Sequence, residues 1–169
     1  MTEQTPPSWQ PPEPPLGPAP GVEFADFAPR LVAYIIDGLI VGGLIVAAML
    51  AWALIAFFGG AIRSDSMDPA SWITLVIVLV VVTVIGLGYF PWFWSRSGAT
   101  PGMRMMSLRV VRDADGGPIS GGQAILRLVG YWISGAVLYL GYIWILVDKR
   151  RRGWHDLIAG TVVIKAPHP

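Results

Sequence analysis

The sequence predicts an all-α integral membrane protein with two transmembrane helices, a third apolar segment that forms a re-entrant or short helical hairpin, and a small cytoplasmic pair of β-strands. Two observations predict this class. Hydrophobic residues make up 54% of the 169 residues and charged residues only 14%, with a mean hydropathy of +0.58, whereas soluble domains carry about 25% charged residues. Long apolar runs also recur at three places, and two of them can cross a hydrocarbon core of about 30 Å.

Residues 1–23 precede the first apolar run and contain eight of the 15 prolines. The few apolar side chains of this stretch cannot offset the entropy of ordering it, so we predict a disordered tail, partly in the polyproline conformation. The first basic residue is Arg30, so the basic start of a signal peptide is missing. We interpret the tail as a solvated spacer, with recruitment of a proline-binding partner as the alternative.

The first predicted span covers residues 31–58, and Asp37 is its single ionisable residue. At about 1.5 Å per residue, a helix of this length exceeds the hydrocarbon core, so it is tilted or projects from the membrane. The polar residues 59–71 end this span and include the turn signal Asp68-Pro69.

The second predicted span covers residues 72–94 and has no charged side chain. Tryptophan and tyrosine occur near its ends, where amphipathic rings favour the membrane–water interface. We therefore interpret the aromatic residues near the predicted span ends as interfacial anchors rather than as a ligand cage: Trp72, Tyr89, Trp92, Trp94, Trp144 and Trp154.

Polar residues 95–127 follow the second span. Within them, residues 107–112 (SLRVVR) are short and β-branched, and residues 113–117 (DADGG) have turn chemistry. Residues 128–147 are apolar again, and a second β-like segment, TVVIK, follows at residues 161–165. We predict that the two β-like segments pair outside the bilayer.

The third apolar segment either crosses the membrane or enters and returns. Lys and Arg near span ends collect on the cytoplasmic side. A crossing segment would leave six basic residues on each face, whereas a re-entrant one would place eleven of the 12 on one face and leave only Arg63 on the other. Ser134-Gly135 and Gly141 interrupt the run near its middle. We therefore predict a re-entrant hairpin, with both termini and both strands in the cytoplasm.

Three sequence blocks occur in order along the chain: PRLVAYIID at residues 29–37, ATPGMR at residues 99–104 and RGWHDLIAGTVV at residues 152–163. They resemble the RDD family of bacterial membrane proteins, which is named for an arginine and two aspartates. The resemblance covers residues 24–165 as one membrane domain, with residues 166–169 as a short tail. It implies a protein of the bacterial cytoplasmic membrane with two full spans and no settled activity, for which ligand transport is the standing suggestion.

The resemblance implies that the family arginine is Arg30 and the first family aspartate is Asp37. It implies Asp156 as the second aspartate, with Asp148 as the competing candidate. Arg30 and Asp37 are seven residues apart, so they share a helix face but lie two turns apart, too far for a direct ion pair. We interpret Arg30 first as a topology anchor that reaches lipid phosphates, and second as a site residue.

Asp37 lies about 10 Å inside a predicted span, where a carboxylate costs on the order of 3 kcal/mol unless it has a partner or faces water. We expect a partner, either Arg127 or the segment that contains His155 and Asp156. Two interpretations of Asp37 stay open. It either holds the hairpin against the first span or acts as a titratable group that binds a cation or a proton.

The charged residues of the C-terminal region have alternative interpretations as well. Asp156 either neutralises the preceding basic run or supplies the second carboxylate of a site with Asp37. His155 has the side-chain type that titrates near neutral pH, but a lone interfacial histidine is more often structural. The basic run is expected to bind anionic lipid headgroups and consists of Lys149, Arg150, Arg151 and Arg152.

The composition argues against several classes of function. With no cysteine and two histidines, one copy of the chain offers no thiolate or imidazole cluster for a metal. A net charge of +1 leaves no electrostatic footprint for nucleic acid. The sequence also lacks the motifs of a nucleophilic or nucleotide-binding enzyme, so we expect neither enzymatic activity nor a cofactor.

Two functional hypotheses follow from the sequence. The first is membrane transport of a small ligand or cation, with Arg30, Asp37 and Asp156 as the site, supported by Arg127, Asp148 and His155. Two and a half spans cannot enclose a pathway, so this hypothesis requires a homo-oligomer or a larger membrane complex. The second is a non-transporting accessory or scaffold subunit that is recruited through the proline-rich tail.

Overall fold

The computed structural model describes residues 22–59 and 68–166, so residues 1–21 of the tail predicted at residues 1–23 lie outside the described residues, as does Arg63. Within these ranges the chain is mostly helical, with two strands. The elements in order are α1 (Phe27–Phe58), α2 (Pro69–Ser97), α3 (Pro101–Met105), β1 (Leu108–Arg112), α4 (Gly121–Ala136), α5 (Leu140–Ile143), a 3-10 turn (Trp144–Leu146), α6 (Trp154–Ala159) and β2 (Thr161–Lys165).

The two long helices, α1 and α2, are the two predicted spans. They contain 32 and 29 residues, are strongly apolar, and expose most of their side chains. An apolar surface of this extent on a helix is what a lipid environment requires. Asp68, expected in a turn, is the N-cap of α2 and accepts a hydrogen bond from the Ser71 backbone N–H at 2.7 Å. The chain is a membrane protein with two to three candidate spans.

The third apolar segment is a bent pair of helices. The first is α4, the second runs from α5 through the 3-10 turn, and the bend between them is 112°. A capping box between Ser120 and Gln123 starts α4. The bend falls at Leu138 and Tyr139, both in the left-handed backbone region. Gly141 permits the close return, because a Cβ there would lie 2.2 Å from Ser134 Oγ.

The strands β1 and β2 pair in antiparallel fashion, with Leu108 opposite Lys165 and Arg112 opposite Thr161. The chain between the strands therefore ends beside the point where it began, as expected for a segment that enters a membrane and returns on the same side. Phe24 forms a bridge to Ile164, which brings the start of α1 to the same end of the molecule. The predicted strand pair and apolar hairpin are confirmed.

The buried core lies at this end of the molecule, where the first turns of α1, the end of α2, α3, α4 and the sheet meet. Small residues allow the close approaches. A Cβ at Gly130 of α4 would lie 2.5 Å from His155 Cα of α6, and a Cβ at Gly102 of α3 would lie 2.3 Å from the Ala33 carbonyl oxygen of α1. This packing brings charged residues that are distant in sequence into one buried region.

Candidate functional site

Two arginines converge on one aspartate in the core, and we refer to Arg30, Arg127 and Asp156 as the arginine–aspartate network. Arg30 Nη1 donates to Asp156 Oδ2 at 2.7 Å, and Arg127 Nη1 donates to Asp156 Oδ1. The side chains of Arg127 and Asp156 are buried, and that of Arg30 is 10% exposed. The network joins α1, α4 and α6, although its members are up to 126 residues apart in the sequence.

The local structure holds Asp156 in place. It is the third residue of α6, and its Oδ2 also accepts the Gly153 backbone N–H at 3.1 Å, so it caps the helix that carries it. Arg30 is oriented by a second hydrogen bond, from Nε to the Ala25 carbonyl at 3.2 Å. Arg127 also donates to Thr161 Oγ1 at the start of β2. Both carboxylate oxygens of Asp156 therefore accept hydrogen bonds, Oδ2 from Arg30 and Gly153 and Oδ1 from Arg127.

The surroundings set the charge states of Asp156 and its neighbour His155. Burial by itself would raise the pKa of Asp156, but the nearby Arg127 and Arg30 guanidiniums hold this pKa well below its ordinary value. Burial lowers the pKa of His155 to about 3. The imidazole stacks on the Tyr131 ring, with centroids 4.0 Å apart. Asp156 is thus ionised and His155 neutral near pH 7.

We expect His155 to make the folded protein sensitive to mild acid. In the unfolded chain its pKa is about 6.5. Between that value and about 3 the unfolded chain binds a proton that the folded chain does not. Stability is therefore lost as the pH falls, by about 2 kcal/mol from pH 6.5 to pH 5. Thermal unfolding in detergent, followed by tryptophan fluorescence, measures this loss as a lower Tm.

The variant His155→Phe is the control for this expectation, because it keeps a ring against Tyr131 and removes the titrating group. Its Tm should change less between pH 6.5 and pH 5 than that of the wild type. The remaining histidine, His168, is common to both proteins. Equal pH dependence in both proteins would contradict the role assigned to His155.

Asp37 is buried at 1% exposure and has three neutral hydrogen-bond donors. The Tyr89 hydroxyl donates to Oδ1 at 2.9 Å, the Thr100 hydroxyl donates to Oδ2 at 2.5 Å, and the Gly102 backbone N–H donates to Oδ1 at 2.8 Å. These donors belong to α2 and to the start of α3. The expected partners of Asp37, Arg127 or the segment of His155 and Asp156, are therefore not the ones that bind it.

A small cavity of about 30 Å³ separates Asp37 from the arginine–aspartate network, and Asp37, Arg30 and Arg127 all line it. This volume is enough for a water molecule. Two buried donors of residues in its lining, Trp94 Nε1 and Arg127 Nε, lack a hydrogen-bond partner among the described residues. Asp37 and the network are thus neighbours across a cavity with room for a water molecule rather than partners in an ion pair.

The basic run at residues 149–152 is largely neutralised within the chain. Arg152 pairs with Asp148 and Asp113, and Arg150 pairs with Asp113. Arg151 lies 3.3 Å from Asp26. The role of neutralising the basic run, considered for Asp156, is filled by Asp148. Binding of lipid headgroups by this run stays a prediction, with Lys149 as its member without a carboxylate partner among the described residues.

The structure corrects two further expectations. Arg30 is not a free anchor that reaches lipid phosphates, because its guanidinium is directed into the core and pairs with Asp156. Trp94, expected at the membrane interface, is 2% exposed and lies 4.8 Å from the Arg127 guanidinium in a cation–π contact.

Sequence reasoning missed Thr100 and Gly102 as neighbours of Asp37. The signal was available, because a threonine before Pro-Gly is a typical helix N-cap, and such a helix start offers backbone N–H groups to a carboxylate. Tyr89 was interpreted only as an anchor. No group of three or more His, Cys, Asp or Glu that could hold a metal occurs within residues 22–59 and 68–166.

Comparisons with known proteins identify relatives of this chain. The model of a family described as the RDD family matches residues 24–160. The chain is 28% identical over 149 residues to the uncharacterized protein YxaI of Bacillus subtilis, covering 83% of this chain and 96% of that protein. It is 26% identical over 92 residues to a proline-rich antigen homolog of Mycobacterium tuberculosis, covering 52% of this chain and 38% of that protein. No solved structure matches the chain.

Proposed function

This chain belongs to the RDD family, and we propose that it takes part in transport of a small ligand or cation across the membrane, without enzymatic activity. Asp37 is the carboxylate that binds the transported charge in this proposal. Asp156 is its fixed counterpart, which keeps Arg30 and Arg127 in place.

The observation that carries the proposal is the different environment of the two buried aspartates. Asp156 is held between two guanidiniums and stays ionised, so it cannot exchange a proton or cation near neutral pH. Asp37 lies in a membrane span, has neutral donors and borders a cavity with room for a water molecule. An acid in a membrane span without a cationic partner is a candidate for coupling to ions or protons.

Transport also requires a polar pathway through the rest of the membrane. Beyond Asp37, α1 continues for 21 residues to Phe58 without an ionisable side chain. We therefore place the complete pathway in a homo-oligomer or a larger membrane complex.

The location that fits this proposal is the bacterial cytoplasmic membrane, with the sheet and both ends of the chain on the cytoplasmic side. The relatives reported above are bacterial proteins. Apart from Arg63, every basic residue belongs to the end of the molecule that carries the sheet or to the segments leading to it, which favours that side as cytoplasmic.

We expect Asp37→Asn to lower ion flux at least tenfold in proteoliposomes that contain the purified protein. The amide has the shape of the carboxylate, and the Thr100 hydroxyl can turn to accept a hydrogen bond from it, so the fold is retained. The measurement follows a pH-sensitive dye inside the vesicles while Na⁺ or K⁺ is varied outside.

The matched control is Asp115→Asn, which makes the same chemical change at an exposed turn. It should leave the flux at the wild-type rate. An Asp37→Asn protein that transports as fast as the wild type would remove Asp37 from the mechanism. Absence of flux from folded wild-type protein would contradict transport by this chain or its homo-oligomer and would favour the accessory function described next.

A second candidate function is a non-transporting accessory or scaffold subunit. One observation favours it: each carboxylate oxygen of Asp37 and Asp156 accepts a hydrogen bond. The bonds to Asp37 connect α1 with α2 and the start of α3, and the bonds to Asp156 connect α6 with α1 and α4. In that case Asp37→Asn would lower only the Tm. Removal of residues 2–22 would then abolish recovery of partner subunits from crosslinked membranes.

A further inference from the structure

A polar pocket of about 240 Å³ lies where α2 ends against β1 and the turn that follows it. Arg96 and Arg109 line it, and no aspartate or glutamate does. It is separate from Asp37 and from the arginine–aspartate network, which line other cavities. We call it the α2-end pocket.

The two arginines of the α2-end pocket have no carboxylate partner among the described residues. In contrast, the arginines of the basic run pair with aspartates, as described above. Arg112 also pairs with an aspartate, since its Nη1 lies 2.8 Å from Asp115 Oδ2. Two uncompensated guanidiniums beside one pocket make its electrostatic potential positive, which favours a bound anion.

The position of the pocket indicates the source of that anion. Arg96 is in the last turn of α2, a candidate span, and its guanidinium lies 4.3 Å from the centre of the Trp92 ring. Trp92 is 57% exposed. An exposed tryptophan and an arginine at the end of a span are typical of the level of the lipid headgroups.

Gly98 shapes the α2-end pocket. It ends α2 in the left-handed conformation, with φ +71°, and its missing side chain leaves room for Arg109, since a Cβ would lie 3.1 Å from Arg109 Cγ. Arg109 Nη2 reaches the Ser97 carbonyl at 3.5 Å, and the Val110 N–H donates to the Gly98 carbonyl at 2.7 Å. These donors cover carbonyls whose partial negative charge would otherwise oppose an anion.

We propose that the α2-end pocket binds the phosphate of an anionic membrane phospholipid, with Arg96 and Arg109 as the donors to its oxygens. The Ser95 and Ser97 hydroxyls donate to backbone carbonyls, so the guanidiniums supply the hydrogen bonds. The proposal adds a defined phospholipid site at the end of α2 to the headgroup contacts predicted for the basic run. It is independent of any transport activity.

Native mass spectrometry of the purified protein in detergent tests this site. Titration with phosphatidylglycerol should give a saturable complex with the wild type, and phosphatidylcholine should bind much more weakly. The double variant Arg96→Gln, Arg109→Gln should weaken phosphatidylglycerol binding about 25-fold, about fivefold for each arginine removed near the membrane surface. The variant with lysine at both positions keeps the charge and should retain most of the binding.

The matched control is the double variant Arg104→Gln, Lys165→Gln, which removes the same charge at two exposed residues outside the pocket. It should bind phosphatidylglycerol within twofold of the wild type. Equal weakening in both double variants would overturn the site, since net charge alone would then explain binding. Displacement of the lipid by an equal concentration of inorganic phosphate would also overturn it, because the pocket would then bind soluble phosphate.

Discussion

Asp156→Asn should destabilise the folded protein by about 3 to 5 kcal/mol, the range found when one partner of a buried ion pair is removed. The change leaves Arg30 and Arg127 facing each other without the carboxylate that they share. It also weakens the cap that Asp156 provides to the Gly153 N–H. Thermal unfolding in detergent and reversible unfolding in bicelles both measure this effect.

Two variants show whether the loss arises from unpaired arginines. Asp115→Asn removes an aspartate from an exposed pair and should leave the Tm unchanged. Adding Arg127→Met to Asp156→Asn removes one of the two stranded charges from the core, so the double variant should be more stable than Asp156→Asn alone. A Tm for Asp156→Asn equal to that of Asp115→Asn would refute the structural importance of the network.

Gly130→Ala should destabilise the protein by about 3 kcal/mol, at the upper end of the range for an overpacked core. The new methyl group would lie 2.5 Å from His155 Cα and 2.9 Å from His155 Cβ. The main chain of α6 would have to move, which would also displace Asp156 from the two arginines. Unfolding measurements under the same conditions give the magnitude.

Gly135→Ala on the same helix provides the comparison for Gly130→Ala. No atom lies within 4 Å of a Cβ at Gly135, and alanine favours the helical conformation over glycine. This variant should therefore be as stable as the wild type or slightly more stable. A similar loss in both variants would mean that helix flexibility, rather than the contact between α4 and α6, explains the effect.

Hydrophobic patterning predicted the large elements of the fold. The apolar runs predicted the two spans, although α1 begins at Phe27 and α2 at Pro69, a few residues before the predicted starts. The helix α2 starts earlier because Asp68 caps it, and the first turn of α1 is held in the core by Arg30. Hydropathy alone records neither contact. The predicted strand at residues 161–165 has the observed bounds, and its predicted partner is observed at Leu108–Arg112.

The charged residues of the candidate site were predicted, but their contacts and the neutral donors around Asp37 were not. Arg30, Asp37 and Asp156 are all in the buried region, yet Asp37 binds Tyr89, Thr100 and Gly102 instead of an arginine. Spacing along one helix shows which face a residue occupies, but it does not show which other element packs there. That choice depends on the close contact of α3 with α1 at Gly102.

The sequence by itself determined that this protein resides in a membrane, where its spans and hairpin lie, and which family it belongs to. These features depend on the length of apolar runs and on local motifs, which are properties of neighbouring residues. Only the tertiary structure decided which charges meet. Arg30 and Asp156 are 126 residues apart, and they form a pair because the sheet and the bent hairpin return the chain to the start of α1. Burial favours this pair, because an unpaired charge in the core is costly.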